Sequence, residues 1–341
     1  MKIAVVGATG AVGTEMLSVL EGARLEIDEL VPIASPRSAG RRLSFRGSEA
    51  EVRTLGAGVF EDVDIALFDV PDEVSEQWSP VAARTGAVVV DNSAAWRMDP
   101  AVPLVVPEVN PEAIHDRPRG IIASPNCTML ALIVPVGALH KHARLKRLVF
   151  SSYQAASGAG KGGVDELWEQ LQRAVKEPEP VVQGQARGVL SRGEVFAHPL
   201  ALNVIPQIGS VRANGYTSEE LKVGDETRKV LGLPDLPVSA TCVRVPTMVG
   251  HGVSVHAEFE DPISADEARS ILSSADGVEL LDDPSTGVYP TPLEAAGRDP
   301  CYVGRIRGDL HDPRALQMFC VADNLRKGAA LNTVQIAELL V

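Results

Sequence analysis

One short segment near the N-terminus constrains this chain more than any other. Gly7-Ala8-Thr9-Gly10-Ala11-Val12-Gly13 follows the apolar run from Ile3 to Val6 and opens a helical spacing from Val12 to Leu20. A strand, a glycine turn and a helix in that order let the backbone turn tightly and come close to a ligand. The helix start adds N–H groups and partial positive charge, which suit a pyrophosphate. The rival reading is a tight strand–helix turn that holds nothing.

The same alternation continues to about residue 125. Strands are predicted at Leu30 to Ala34, Ile65 to Phe68, Ala87 to Val90 and Gly120 to Ala123, with a helix over Val74 to Thr85. Short apolar strands separated by helices give a parallel sheet covered on both faces. After Asn126 the pattern changes. Helices are predicted at Thr128 to His140, Val164 to Val175, Ser218 to Leu231 and Ala265 to Ala275. Longer strands of alternating polarity at Leu148 to Tyr153, Ala240 to Val245, Val253 to Phe259, Val303 to Arg307 and Leu316 to Val321 predict a mixed or antiparallel sheet. A last apolar helical face runs to Leu340 and starts after the capping pair Asp323-Asn324. The expected organisation is α/β, with one domain built from residues 1–126 plus 323–341 and another from 127–322.

The charge count, 32 basic against 45 acidic residues, leaves a net −13. That argues against nucleic acid or an anionic membrane as partner, since both need a basic surface. No run approaches the roughly 18 apolar residues of a membrane span. The cysteines Cys127, Cys242, Cys301 and Cys320 form no C-x-x-C pair and no cluster with histidine. No metal is therefore expected, and a reducing cytoplasm fits best.

The end of the second strand reads Ala34-Ser35-Pro36-Arg37-Ser38-Ala39-Gly40-Arg41. An acid there would bind the ribose hydroxyls of NAD. Its absence, with Ser35, Arg37 and Ser38 present, suits the 2′-phosphate of NADP. A solvated basic loop is the plain alternative.

Ser124-Pro125-Asn126-Cys127-Thr128 joins a strand to a helix. Asn126 is a natural N-cap, and Cys127 then falls where the helix dipole favours thiolate. A small buried hydrophobe is the other reading, and the one assigned to Cys242 and Cys320. A thiolate beside a nicotinamide implies aldehyde chemistry through a thioacyl enzyme, with histidine as acid/base. His251, between Gly250 and Gly252, is the best placed histidine for reaching into a cleft.

Taken together, these blocks make the chain resemble the aspartate-semialdehyde dehydrogenase family. They include G-A-T-G-A-V-G at Gly7, S-P-R-S-A-G at Ser35, D-N-S-A-A-W-R at Asp91, V-P-E-V-N at Val106 and S-P-N-C-T at Ser124. S-S-Y-Q-A-A-S-G-A-G at Ser151, N-V-I-P-Q-I at Asn203, E-E-L-K at Glu219, C-V-R-V-P at Cys242, G-H at Gly250 and A-D-N-L-R-K-G-A-A-L-N at Ala322 continue the series. The resemblance implies a Rossmann-type dinucleotide-binding domain plus an α+β catalytic and dimerisation domain with a mixed sheet. It also implies NADPH-dependent reductive dephosphorylation of L-aspartyl 4-phosphate to L-aspartate 4-semialdehyde and phosphate, in lysine, methionine and threonine biosynthesis, by a homodimer.

Carried over by resemblance, Cys127 is the nucleophile, His251 the acid/base and Gln154 the group that orients substrate. Arg244 would pair with the substrate α-carboxylate, Glu220 with its amino group, and Arg97, Asn126 and Lys222 with the phosphate. The implied cofactor contacts are Gly7, Thr9, Gly10, Ala11, Val12, Gly13, Ser35, Arg37, Ser38, Gly158 and Asn324. Thr217-Ser218-Glu219-Glu220 also reads as a capping box, with Glu220 returning to Thr217. Two departures from the family pattern stand out. Ala94 replaces a usual serine. The segment from Asp69 to Ser75 carries acids and a proline where a small glycine-containing loop is usual, so its acids are expected to turn away from a dinucleotide. Rival readings are a related acyl-phosphate reductase, such as N-acetyl-glutamyl-phosphate reductase, and a non-catalytic Rossmann-type binding protein.

Overall fold

A computed structural model describes residues Met1–Val341. The chain divides into two compact units. The first comprises Met1–Gly137, Asp225–Asp235 and Leu325–Val341, and the second Ala138–Gly224 and Leu236–Asn324. The segments 127–137 and 225–235, which the sequence reading assigns to the second domain, thus cluster with the first, and 323–324, assigned to the first, with the second.

In the first unit β1 (Lys2–Val6) runs through the glycine turn into α1 (Ala11–Gly22), followed by β2 (Glu29–Ala34). A hairpin of β3 (Arg42–Phe45) and β4 (Ser48–Glu51) precedes the edge strand β5 (Arg53–Thr54). Then come β6 (Ile65–Phe68), α2 (Asp72–Arg84), β7 (Val88–Asp91) and β8 (Ile121–Ala123), and α3 (Cys127–Ala143) follows. The sheet order is β5-β2-β1-β6-β7-β8, parallel throughout. Its central strands are buried on both faces: every residue of β6 is inaccessible, as an apolar parallel strand requires. Strand order reverses between β1 and β6, and ligands of such sheets bind at the carboxyl ends beside that point.

The second unit begins within α3 and holds β9 (Leu145–Gln154), α4 (Gly160–Lys176) and the short α5 (Pro178–Val182). The connection after Pro178 is ordered around its own small core of Leu167, Leu190, Phe196, Leu200 and Ile205. Then follow α6 (Ser218–Leu231), β10 (Val238–Arg244), β11 (His251–Phe259), α7 (Ala265–Ser273), β12 (Val278–Leu280), α8 (Pro292–Ala295), β13 (Cys301–Gly308) and β14 (Ala315–Ala322). The sheet order is β10-β9-β11-β14-β13-β12, mixed, with β10 parallel to β9 and antiparallel pairs through the centre. The chain then returns to the first unit. A π-helical turn at Arg326–Ala330 leads into α9 (Leu331–Glu338), whose Val334, Ile336 and Ala337 pack with Met16, Leu17 and Leu20 of α1.

Candidate functional site

The glycine turn lies at the sheet's switch point. Gly7 has φ +96°, and a Cβ there would meet the Asp69 carbonyl oxygen at 2.0 Å. A Cβ on Gly13 would meet the Gly7 oxygen at 2.1 Å, so the helix packs onto the turn only because Gly13 has no side chain. A cleft of about 520 Å³ opens here, lined by Gly7, Thr9, Gly10, Ser35, Arg37 and Val70 among others. Ala11 and Val12 form the first turn of α1 with Gly13. Ser38 is tied in by its hydroxyl, 3.2 Å from that of Thr9. Apolar walls, a glycine cradle and an exposed arginine at the end of β2 together fit a dinucleotide.

The acids of the 69–75 segment are accounted for individually. Asp69 accepts from Asn92 Nδ2 at 2.9 Å, and burial pushes its carboxyl above the ordinary range. Asp72 accepts the Ala94 N–H at 2.8 Å. Asp72 and Glu73 also occupy the first turn of α2, where the helix dipole favours them. Both aspartates are therefore bound to the 92–94 segment, and a serine at position 94 is not needed to hold it.

Asn126 caps α3 as its sequence indicates, with Oδ1 accepting from Thr128 N–H at 2.8 Å and Met129 N–H at 3.4 Å. Cys127 is the first helical residue and half-buried, whereas Cys242, Cys301 and Cys320 are buried, and none of the four forms a disulfide. Arg97 is buried; its Nη2 donates to the Asn92 carbonyl at 2.7 Å and its Nη1 to Glu226 at 3.1 Å.

The second unit gathers its own cluster. Gln154 ends β9 opposite Arg244 at the end of β10. One residue, Ala155, serves two side chains: its carbonyl accepts from Arg244 Nη1 at 2.6 Å, and its N–H donates to His251 Nδ1 at 3.1 Å. The Arg244 guanidinium also lies 5.9 Å from the Phe196 ring centre. A Cβ on Gly158 would meet Arg244 Nη1 at 2.7 Å and His251 Nε2 at 3.2 Å. The two residues therefore converge on Gly158, as a turn between β10 and β11 allows. Burial first, and the Arg244 charge second, lower the His251 pKa to about 3. Asn324 does not present a loose side chain. Its Oδ1 accepts from Gly250 N–H at 2.9 Å, and its amide bonds the Ser157 hydroxyl at 2.9 Å, fixing the loops beside Gly158 and His251.

Glu220 forms the capping box. Its Oε2 accepts the Thr217 N–H at 2.7 Å, and Thr217 Oγ1 accepts the Glu220 N–H at 3.3 Å. Its other oxygen accepts the Cys242 N–H at 3.0 Å. The neighbouring Glu219 is the acid that meets Gln154, at 3.4 Å from its Nε2. Lys222 is exposed on the same helix. Ala155, Glu219 and Glu226 are the residues that sequence reasoning passes over. Glu226 did leave a signal: it sits on the buried stripe with Val223, Thr227 and Val230, where an acid needs a partner.

Comparison with known proteins bears on the family of the chain. The family model described as semialdehyde dehydrogenase, NAD binding domain matches residues 2–117, and the one described as semialdehyde dehydrogenase, dimerisation domain matches residues 136–327. The chain is similar to aspartate-semialdehyde dehydrogenase of Aquifex aeolicus, with 46% identity over 100% of this chain and 98% of that protein. The same enzyme of Corynebacterium glutamicum is 49% identical over 99% of each. Among solved structures, aspartate semialdehyde dehydrogenase II of Vibrio cholerae complexed with ASA is 41% identical. It covers 99% of this chain and 97% of its own, with a TM-score of 0.93.

Proposed function

The chain belongs to the aspartate-semialdehyde dehydrogenase family, and on that premise we propose how its residues divide the work. The reaction is the reversible, NADPH-dependent reductive dephosphorylation of L-aspartyl 4-phosphate to L-aspartate 4-semialdehyde and phosphate, in lysine, methionine and threonine biosynthesis. Neither rival reading, the N-acetyl-glutamyl-phosphate reductase nor the non-catalytic protein, is favoured by these likenesses.

Cys127 is the nucleophile. Its thiolate, favoured by the start of α3, attacks the acyl-phosphate carbon, the bond to phosphate oxygen breaks, and a thioacyl group remains on the sulfur. A nicotinamide cofactor held by the glycine turn from Gly7 to Gly13 would supply the hydride for reducing this thioacyl group and accept it in the reverse direction. His251 exchanges the proton that the substrate oxygen gains or loses, through Nε2, since Nδ1 already takes the Ala155 N–H. The Arg244 guanidinium is charged in any case, and a neutral His251 ring places no second cation beside it, so the site presents one positive fork to a carboxylate. Gln154 orients the bound substrate. Arg97, Asn126 and Lys222 hold the phosphate.

One assignment shifts. The sequence reading gave the substrate ammonium to Glu220, but both of that residue's oxygens serve the cap and β10. Glu219, at Gln154, is the better partner. The cleft residues Gly7 to Gly13 hold the dinucleotide, with Ser35, Arg37 and Ser38 at the 2′-phosphate of NADP. Gly158, and Asn324 acting through the loop it fixes, complete the cofactor side. In functional terms residues 1–126 with 323–341 form the NADP domain, and residues 127–322 the catalytic and dimerisation domain of a homodimer. Four cysteines without a disulfide suit a reducing cytoplasm, and no helix is long and apolar enough to cross a membrane.

The observation that carries this reading is the convergence of Arg244 and His251 on Ala155 and Gly158. The test is a spectrophotometric assay with aspartate semialdehyde and phosphate, and NADP or NAD in parallel. Phosphate-dependent reduction of NADP is expected; no reduction of either cofactor would overturn the reading.

A further inference from the structure

Glu226 is a buried acid, 1% exposed, whose two carboxylate oxygens each face a donor. Oε1 accepts from Arg97 Nη1 at 3.1 Å, and Oε2 accepts the backbone N–H of Asn126 at 2.5 Å. The next turn of the same helix grips the same segment. Lys229 Nζ donates to the carbonyls of Arg97, Asp99 and Val102 at 2.7, 2.8 and 2.8 Å. Arg97 is thus held at its peptide by Lys229 and at its guanidinium by Glu226 and the Asn92 carbonyl. A buried ion pair is a poor source of net stability, because desolvation offsets most of the attraction. Orientation is what it secures.

We propose that Glu226 is a positioning residue for the phosphate end of the substrate. Its one carboxylate sets the fork of Arg97 and, through Asn126, the peptide that leads into Cys127. The proposal rests on the reading of Arg97 and Asn126 as phosphate-holding residues. It explains why an acid occupies the buried stripe of α6. It also assigns both oxygens: a glutamine has a single acceptor oxygen, so Glu226→Gln must turn an NH2 group toward one of two donors and lose that contact.

The experiment is steady-state kinetics of the full-length enzyme in the oxidative direction, with phosphate and semialdehyde varied separately. Glu226→Gln, Arg97→Ala and the double variant are compared with the wild type. Glu226→Gln is expected to raise KM for phosphate about tenfold or more. KM for semialdehyde, whose expected partners are in the second unit, stays within about twofold. In the Arg97→Ala background, Glu226→Gln should raise the phosphate KM by less than it does in the wild type, because the acid acts in part through the arginine and only its Asn126 contact is left to lose. If Arg97→Ala leaves the phosphate KM unchanged, the phosphate reading itself fails. If Arg97→Ala raises it and Glu226→Gln does not, or if Glu226→Gln lowers only the thermal midpoint, the positioning role is overturned. Should the glutamine variant not fold, Glu226→Asp carries the same test, since one methylene fewer separates the carboxylate from one of its two donors.

Discussion

Arg244, His251 and Gly158 occupy one small volume, and each limits what the others can do. A methyl group on Gly158 would press on Arg244 Nη1 at 2.7 Å and on the His251 ring at 3.2 Å. Gly158→Ala is therefore expected to raise KM for semialdehyde and lower kcat, together by about tenfold or more, while the thermal midpoint moves little. Steady-state kinetics beside a melting curve checks this. The buried His251 carries a second consequence. Its pKa is lowered from 6.5 to about 3 in the folded chain, so the unfolded state binds the extra proton first. The stability contributed by the neutral ring is complete above pH 6.5 and is lost as pH falls from there toward 3. His251→Asn removes the titration. The wild type should thus lose on the order of 3–5 kcal/mol more than the variant across that window, measured by chemical denaturation at stepped pH. Parallel pH profiles for the two proteins would contradict the burial argument.

At the level of elements, the start of α6 separates two adjacent acids that sequence alone confuses. Glu220 closes the capping box with Thr217 and Glu219 faces Gln154. Glu220→Ala should cost about 1–2 kcal/mol of stability and leave KM for semialdehyde within about twofold. Glu219→Ala should do the opposite, raising KM with a small change in melting temperature. The cap of α3 by Asn126 was legible because a cap depends on residues a few positions apart. So was the glycine turn, where strand, glycines and helix are contiguous. Glu226 and Ala155 were not, since their partners lie at Arg97 and His251, far away in the chain. The short edge strand β5 and the hairpin of β3 and β4 also escaped. Their residues are mostly exposed and carry little apolar periodicity.

For the whole molecule, the parallel and mixed sheets were both legible from strand length and polarity, whereas the order of the strands, set by contacts distant in the chain, was not. The assignment of 225–235 to the first unit was not, because one helix, α6, supplies residues to both units. Cofactor choice belongs to this scale, since it depends on the cleft formed by β1, β2 and β6 together. Arg37→Ala should remove one charge-assisted contact and cut the preference for NADP over NAD by about 1.5–3 kcal/mol, read from the two KM values. An unchanged ratio would place the 2′-phosphate elsewhere. The central claim is that Cys127 carries the acyl group. The direct test is intact-protein and peptide mass spectrometry after rapid quench of enzyme, semialdehyde and NADP with phosphate withheld, so that the thioacyl form cannot be released by phosphate. The account predicts an aspartyl adduct on the peptide containing Cys127, absent from Cys127→Ser. An adduct on the peptide of Cys242, Cys301 or Cys320, or an adduct that survives in Cys127→Ser, would contradict it.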